Sequence, residues 1–265
     1  ADFRDPWTNN KTAFGYDTLD LKRFQFEKQK ERKVVQGFDL IVSVAAPMTE
    51  YFKSLETKDQ TEKFVTLPNG YDPNDFLKKP IPKMVNTKVT ICFVGTLYGK
   101  TQATLVSLAS AMKGFQDQIQ FRFCGDMNAE AYHILRQCEN VELMGKVDGK
   151  TAKETISQSD ICLLLLTDDL TYSFSTKFCE YIQARKPIWI VSNAGSTPDF
   201  VRENGIGFHS LPTPDSIKQG LENIRTSLDS ISYEGFDDSS FNLESISKQY
   251  LERLVHLVKH DNSLK

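Results

Sequence analysis

The sequence is poor in the residues that build metal sites and disulfide frameworks. It has five cysteines and four histidines in 265 residues, and no cysteines form a Cys-x-x-Cys pair. Two histidines, His256 and His260, lie near the C-terminus, where a solvated role is expected. Several cysteines lie in or at the end of apolar runs, which favours reduced thiols in a protein core. The sequence therefore predicts no metal site and a cytoplasmic location.

An excess of basic residues is also lacking. The 32 lysines and arginines are slightly outnumbered by 35 aspartates and glutamates, which gives a formal net charge of -3. Nucleic-acid-binding domains usually carry a basic patch or stripe. We therefore expect no nucleic-acid partner, and any anion site must depend on local geometry.

Long apolar runs are missing too. No run approaches the roughly 20 residues of a membrane-spanning helix, and the N-terminus has no signal-peptide pattern. The chain begins with Ala1 rather than methionine, which suggests a fragment. We expect a cytoplasmic protein, and peripheral association with the inner membrane face stays open.

Motifs for nucleophilic hydrolysis do not occur. The sequence contains no Gly-x-Ser-x-Gly elbow and no paired cysteine and histidine motif. It also has neither a Walker loop nor a Gly-x-Gly-x-x-Gly fingerprint. Catalytic residues therefore stay unassigned at this level.

What the sequence does contain is a regular alternation of apolar strand-like runs and helices. Six predicted strands are separated by helices of about ten residues, at 89–94, 119–124, 141–144, 160–166, 188–191 and 206–209. This alternation is typical of an α/β fold with a doubly wound parallel sheet, whose ligands bind beyond the carboxyl ends of the strands. We predict a Rossmann-like domain over 88–240.

The flanking segments predict a second, partial α/β unit. Residues 1–70 contain an amphipathic helix over 17–36 and strands at 39–45 and 64–67. A polar linker with three prolines follows over 71–87, and a last helix lies within 241–265. The first residues resemble the end of a strand for which nothing earlier supplies a sheet.

The stretch 159–190 carries the sharpest functional pattern. An apolar strand is followed by a polar loop and a helix on which Lys177 and Glu180 lie three residues apart. Glu180 can accept hydrogen bonds from vicinal ribose hydroxyls, or it can be a solvated carboxylate that favours a helix N-terminus. Lys177, with the amides of Ser175 and Thr176, can hold a diphosphate, or it can be a solvated lysine.

Glycine-containing turns follow three other predicted strands. Glycine lets backbone approach a ligand closely, and a nearby lysine can meet phosphate. Each turn can equally be a simple connection. The candidate residues in these turns are Gly95, Thr96, Lys100, Gly125, Asp126 and Val147.

Several short motifs follow one another along the chain in a fixed order. They are Pro68-Asn69-Gly70-Tyr71-Asp72 to Phe76, Phe93-Val94-Gly95-Thr96, Phe123-Cys124-Gly125, Val141 to Gly145, Ser159-Asp160, Lys177 with Glu180-Tyr181, Lys186-Pro187 and Glu203-Asn204-Gly205-Ile206-Gly207. This set resembles the donor-binding half of GT-B glycosyltransferases of the large retaining group 1, or family 4, type. The resemblance covers roughly 39–258, and residues 2–7 resemble a loop from the acceptor half of that family.

The resemblance implies transfer of a sugar from a nucleotide-diphosphate donor to a glycan or lipid acceptor. It places Glu180 on the ribose and Lys177 and Lys100 near the diphosphate, with no cofactor beyond the donor substrate. Two positions depart from the family pattern. Tyr172, eight positions before Glu180, stands where the family often has another glutamate. Thr96 stands where the family has an arginine in its first loop.

The resemblance also implies that much of the acceptor half is missing. We expect the strand at 39–45 to lack neighbours, so that it pairs with another chain or leans on the second domain. Helices over 16–35 and 243–258 would then pack together as a cover. Such a chain would bind a donor without transferring its sugar, and the N-terminal part leaves membrane association and self-association open.

Two other functions stay open. One is a non-catalytic module that keeps the fold and binds a nucleotide or a partner. The other is a sugar-nucleotide epimerase of GT-B architecture, for which the sequence offers no assignable acid or base. Binding of a nucleotide diphosphate would favour the donor-site reading over a partner-binding module.

Overall fold

The computed structural model describes residues 1–9, 19–58, 60–76, 87–97, 99–170 and 173–262. These residues form two compact units. The first contains residues 1–72, 172–175 and 239–265, and the second contains residues 73–171 and 176–238. Predictions that concern residues 16–18 and 77–86, and the positions Tyr98 and Tyr172, lie outside the described residues.

The second unit is built on a six-stranded sheet in which every pairing is parallel. The predicted doubly wound α/β fold is confirmed, and the predicted bounds at 89–94, 119–124 and 188–191 agree with the structure. The strands are β4 (Val89–Val94), β5 (Ile119–Cys124), β6 (Val141–Gly145), β7 (Ile161–Leu165), β8 (Ile188–Val191) and β9 (Gly207–Ser210).

The order of these strands defines a switch point between β4 and β7. The sheet runs β6-β5-β4-β7-β8-β9, so the chain winds outward from β4 in one direction and then returns to add β7 on its other side. In open parallel sheets, ligands bind in the crevice that forms where the winding reverses. The fold therefore places a binding crevice at the carboxyl ends of β4 and β7.

In the described part of this unit, five α-helices connect successive strands, and a sixth, α8, follows β9. Asn128 and Asp148 cap two of them by accepting hydrogen bonds from Ala131 N–H at 2.8 Å and Thr151 N–H at 2.7 Å. The helices match the predicted elements in type and order. They are α3 (Gln102–Met112), α4 (Ala129–Leu135), α5 (Gly149–Gln158), α6 (Thr176–Gln183), α7 (Ser196–Glu203) and α8 (Pro214–Ser227).

The first unit contains a three-stranded parallel sheet in the order β1-β2-β3. The strands are β1 (Asp2–Phe3), β2 (Ile41–Ser43) and β3 (Phe64–Thr66), with helices α1 (Leu21–Gly37), α2 (Ala46–Leu55) and α9 (Leu243–Asn262). The expectation that the strand at 39–45 lacks neighbours is wrong, because β2 pairs with β1 on one side and β3 on the other. The strand-like opening of the chain thus joins a sheet formed by later residues.

The helical cover of this sheet also differs from the prediction. Ile41 packs in one cluster with Val35 of α1 and Phe52 of α2. The next residue, Val42, packs in another cluster with Ile246 of α9. Because successive strand residues point to opposite faces, α1 and α9 cover opposite faces of the sheet and do not form one cover.

Two glycine turns at the carboxyl edge of the second sheet approach each other closely. Gly125 has φ +134°, and a Cβ atom on it would lie 1.9 Å from the carbonyl oxygen of Gly95. A side chain there would meet both a backbone clash and an unfavourable conformation. Glycine at position 125 is therefore required for the loops after β4 and β5 to lie side by side.

We expect Gly125→Ala to destabilise the protein by at least about 2 kcal/mol, because backbone strain and overpacking each cost about 1 to 3 kcal/mol. Gly149→Ala is the matched control, since a Cβ atom on Gly149 meets nothing within 4 Å. The control should leave stability unchanged or raise it by about 0.4 to 1 kcal/mol. Urea denaturation followed by circular dichroism measures both, and equal midpoints for Gly125→Ala and the wild type would contradict the close approach.

Candidate functional site

Polar loops follow β4 and β7, the two strands that border the switch point. After β4, the chain passes Gly95 and Thr96 and enters a 3₁₀ turn at Gly99–Thr101. After β7, it forms a second 3₁₀ turn at Asp168–Leu170 and then reaches α6. These loops hold most of the residues that the sequence pattern selected.

Lys177 and Glu180 form an ion pair near the N-terminus of α6. The Lys177 ammonium donates to both carboxylate oxygens of Glu180, each at 2.9 Å. Both side chains are about one third exposed, at 35% and 31%. The structure therefore brings together the two residues that the sequence pattern singled out, and it pairs them with each other.

The apolar face of α6 fixes the position of this pair. Phe178, Tyr181 and Ile182 are fully buried, while Lys177 and Glu180 lie on the partly exposed side of the helix. The helix begins at Thr176, directly after Ser175. The backbone N–H groups of a first helical turn have no intrahelical partner, so they favour a negatively charged ligand.

Asn69 anchors the residues that precede Ser175. Its side-chain amide donates to the carbonyl of Phe174 at 3.0 Å, and the Phe174 ring packs edge-on against Phe241 at 5.1 Å between centroids. All three residues belong to the first unit. The sequence pattern marked Asn69 only as part of a motif, and this contact was not predicted.

Lys100 binds a carboxylate that the sequence pattern did not indicate. Its ammonium lies 3.1 Å from Asp169, so one ion pair joins the loop after β4 to the loop after β7. Burial alone would raise the pKa of Asp169, but hydrogen bonds from Thr167 and Lys100 and the charge of Lys100 hold that pKa below its usual range. Asp169 is therefore a negatively charged neighbour of the predicted phosphate-binding lysine.

The remaining predicted residues lie along the same edge of the sheet but farther from the switch point. Gly125 and Asp126 follow β5, and Val147 follows β6, one and two strands away from β4. Asp126 lies 3.8 Å from Lys146 in an exposed pair. The structure thus joins Lys100 to the loop after β7 and places Gly125 against Gly95, whereas Asp126 and Val147 lie along the β5 and β6 side.

Further polar residues occupy the edge beyond β7. Asn193 after β8 donates to Asp168 at 2.6 Å, and His209 in β9 lies 2.9 Å from the carbonyl of Ser192. The sequence pattern gave them no role. Their position directly after, or inside, predicted strands was the available signal, because such residues reach the carboxyl edge of the sheet.

The described residues contain neither a metal-binding cluster nor a membrane-spanning helix. No cluster of three or more His, Cys, Asp or Glu side chains there is arranged to hold a metal ion. None of the helices described is long and apolar enough to cross a membrane.

The fold defines a Rossmann-like α/β protein, and charged and polar residues lie in the loops after the two strands that border the switch point. The model of the family "Glycosyl transferases group 1" matches residues 88–227, which is more than half of the chain. The chain belongs to this glycosyltransferase family. No curated protein sequence matches it significantly.

Solved structures with the GT-B fold share the architecture at low identity. HepE from Anabaena, in complex with UDP and glucose, is 14% identical, with a TM-score of 0.67 over 88% of this chain and 67% of HepE. Sucrose-phosphate synthase from Thermosynechococcus elongatus is 15% identical, with a TM-score of 0.67 over 89% of this chain and 62% of that protein.

A putative UDP-N-acetylglucosamine 2-epimerase from Listeria monocytogenes shares the fold as well. It is 9% identical, with a TM-score of 0.59 over 84% of this chain and 60% of the epimerase. The chain thus spans 60% to 67% of the length of these three proteins. The predicted GT-B glycosyltransferase family is confirmed, whereas the retaining stereochemistry stays a prediction.

We expect Lys100→Met to raise the pKa of Asp169, because the variant removes a hydrogen bond and a positive charge that favour the carboxylate. A depressed pKa in the folded state gives stability above the unfolded-state pKa of about 3.9, and this stability disappears as pH falls through the folded-state pKa. Because the folded-state pKa of Asp169 is higher in Lys100→Met, its carboxylate contributes less stability there. This smaller contribution should be lost at a higher pH than in the wild type.

Carbon-13 NMR titration of the Asp169 carboxyl group measures this shift directly. Lys146→Met is the matched control, since Lys146 lies near Asp126 instead. A pKa of Asp169 that is equal in the wild type and Lys100→Met would show that the ion pair does not form in solution.

Proposed function

We propose that this chain supplies the donor site of a glycosyltransferase that transfers a sugar from a nucleotide diphosphate to a glycan or lipid acceptor. The observation that carries the proposal is the Lys177–Glu180 pair near the N-terminus of α6. This pair lies in a family-matched domain, on the helix that follows the switch-point strand β7. A cation, a carboxylate and the amides of a helix N-terminus are groups that can bind a nucleotide diphosphate.

Each group in this set has a distinct chemical role in the proposal. Lys177 and the first amides of α6 bind the diphosphate through charge-assisted hydrogen bonds. Glu180 accepts hydrogen bonds from the ribose hydroxyls, as acidic residues do in other doubly wound folds. Gly95 and Thr96 lie directly after β4, and the absent side chain at position 95 allows close approach of backbone to ligand.

Donor binding, in this proposal, exchanges the ion pairs of the unliganded protein for contacts with the ligand. Lys177 leaves Glu180, and Lys100 leaves Asp169, so that both ammonium groups reach the diphosphate. Exposed or half-exposed ion pairs contribute only about 0 to 1 kcal/mol each. Charge-assisted bonds to phosphate are stronger, so the exchange favours the bound state.

The nature of the donor base is a further step of the proposal. HepE was solved with UDP and with UDP-glucose. We therefore place UDP and UDP-sugars first among the ligands to test, with GDP and ADP as alternatives. The acceptor, a glycan or a lipid, is proposed from the family alone.

The two alternatives predict different measurements. A non-catalytic module of this fold would bind a nucleotide or a protein partner without turnover of any sugar nucleotide. An epimerase would convert a free UDP-sugar to its epimer with no acceptor present. The likeness to the Listeria epimerase keeps that reaction in the assay panel, whereas the family match favours the transferase.

We expect a nucleotide diphosphate to stabilise the full chain. A ligand that binds only the folded state adds RT ln(1 + [L]/Kd), which is about 2.7 kcal/mol at a hundredfold excess over Kd. Thermal denaturation with UDP, GDP and ADP at millimolar concentration should show a rise in Tm for at least one of them. An unchanged Tm with all three diphosphates would reject a donor site in this chain.

Glu180→Gln should weaken binding of the stabilising nucleotide about ten- to a hundredfold, because a hydrogen bond to a charged group is worth about 1.5 to 3 kcal/mol. Glu154→Gln on α5 is the matched control, since Glu154 also forms an ion pair, with Lys150. Isothermal titration calorimetry should give a wild-type Kd for the control. Equal affinity of Glu180→Gln and the control would show that Glu180 is a solvated helix carboxylate and does not bind the ribose.

A further inference from the structure

The registered backbone pairing between β4 and β7 stops before the two strands end. β4 pairs with β5 along its whole length, from Val89 to Val94. Its pairing with β7 is registered at Ile91 with Ile161 and at Cys92 with Cys162. Beyond Cys92, a side chain from α6 takes part in the contact between the two strands.

That side chain is Tyr181, which is fully buried. The N–H of Val94 donates to the Tyr181 hydroxyl at 3.2 Å, and the hydroxyl donates to the carbonyl of Leu163 at 3.4 Å. Burial raises the pKa of Tyr181 well above its usual value, so the hydroxyl keeps its proton at neutral pH. One hydroxyl group therefore serves a donor on β4 and an acceptor on β7.

In an uninterrupted ladder these two backbone groups would bind each other. Gly95 N–H donates to Cys124 on β5, so the alternation of the strand points Val94 N–H toward β7. Cys162 N–H donates to Pro187 on the β8 side, so the backbone groups of Leu163 point toward β4. Extending the observed register by two residues brings Val94 N–H to the carbonyl of Leu163.

The hydroxyl thus replaces one direct hydrogen bond by two in series. Here the hydroxyl oxygen is the partner of both groups, so a side chain bridges Val94 N–H and the Leu163 carbonyl. The bridge lies at the switch point, directly before Gly95 and Thr96.

We infer that the Tyr181 hydroxyl is a positioning group that bridges the carboxyl ends of β4 and β7 and fixes where the Gly95 loop begins. The inference rests on the proposed function for its ligand, the nucleotide diphosphate. Tyr181 follows Glu180 directly and lies one helical turn after Lys177. The Tyr181 side chain therefore links α6, which carries the residues proposed to bind ribose and phosphate, to β4, which precedes Gly95.

Tyr181→Phe tests the hydroxyl while keeping the ring. The variant keeps the buried ring and removes only the hydroxyl, so we expect Val94 N–H to lose its acceptor. Tyr233→Phe is the matched control, because the Tyr233 hydroxyl also donates to a backbone carbonyl, that of Lys186 at 2.8 Å, before the amino end of β8. Introducing 4-aminophenylalanine at position 181 restores a group that can both donate and accept.

Amide hydrogen exchange gives a readout that needs no ligand. We expect the exchange rate of Val94 N–H in Tyr181→Phe to rise at least tenfold relative to that of Phe121 N–H, which donates to Asn140 on the other side of the sheet. The control and the 4-aminophenylalanine variant should keep the wild-type ratio. A Val94 ratio within twofold of the wild type in Tyr181→Phe would overturn the inference.

Calorimetry with UDP tests the consequence for the site. Tyr181→Phe should bind UDP at least tenfold more weakly, whereas Tyr233→Phe should bind as the wild type does even if both variants lose similar stability. Equal affinity of the two variants would show a purely structural role and overturn the positioning role. If the wild type binds no nucleotide diphosphate, the proposed function fails, and the exchange ratio still decides whether the hydroxyl bridges the strands.

If Tyr181→Phe does not fold, the 4-aminophenylalanine variant decides the question. A folded amine variant with the wild-type exchange ratio at Val94 supports the inference, since it differs from Tyr181→Phe only in the polar group. If neither variant folds, a group that can donate and accept is not sufficient at position 181, and the inference is overturned.

Discussion

The boundary between β4 and β7 is the constraint on which the second unit depends. Both strands lie in the middle of the sheet. Cys92 of β4 pairs with Cys162 of β7, and both residues are fully buried. A strand that is buried on both faces cannot shift by one residue without moving its whole apolar set. The loops that follow these strands therefore start from fixed points, and a polar ligand site can be built from their first residues.

The charges at this edge of the sheet are paired within the unliganded protein. Lys177 binds Glu180 on the same helix, and Lys100 binds Asp169 on a neighbouring loop. Ion pairs of this kind weaken as ionic strength rises, because mobile ions screen exposed charges. The Lys100–Asp169 pair also joins the loop after β4 to the loop after β7. In the proposed function, an anionic ligand competes with Glu180 and Asp169 for these two lysines.

The first unit shows how segments far apart in sequence complete a small sheet. Residues 2–3, 41–43 and 64–66 supply its strands, and helices from both ends of the chain cover its two faces. Ile246 of α9 reaches Val42, about 200 positions earlier. A small sheet needs a hydrophobic face or a packed helix for independent stability. The helices on both faces supply the rest of the core.

The sequence by itself determined the elements and one local pair. The apolar run without alternation at 160–166 predicted a central strand because both faces of such a strand are covered, and the structure has β7 at Ile161–Leu165. The spacing of three residues placed Lys177 and Glu180 on one side of a helix, since residues three apart are neighbours on a helical surface. The motifs around them were sufficient to predict the glycosyltransferase family.

Only the tertiary structure decided which distant residues meet. Asp169 as the partner of Lys100, Tyr181 as the bridge between Val94 and Leu163, and β1 as a neighbour of β2 all join residues that are far apart in the chain. Periodicity reports which face of an element is apolar, but it does not report the order of strands in a sheet. These contacts follow from strand order and from the path of each loop, which depend on the packing of the whole unit.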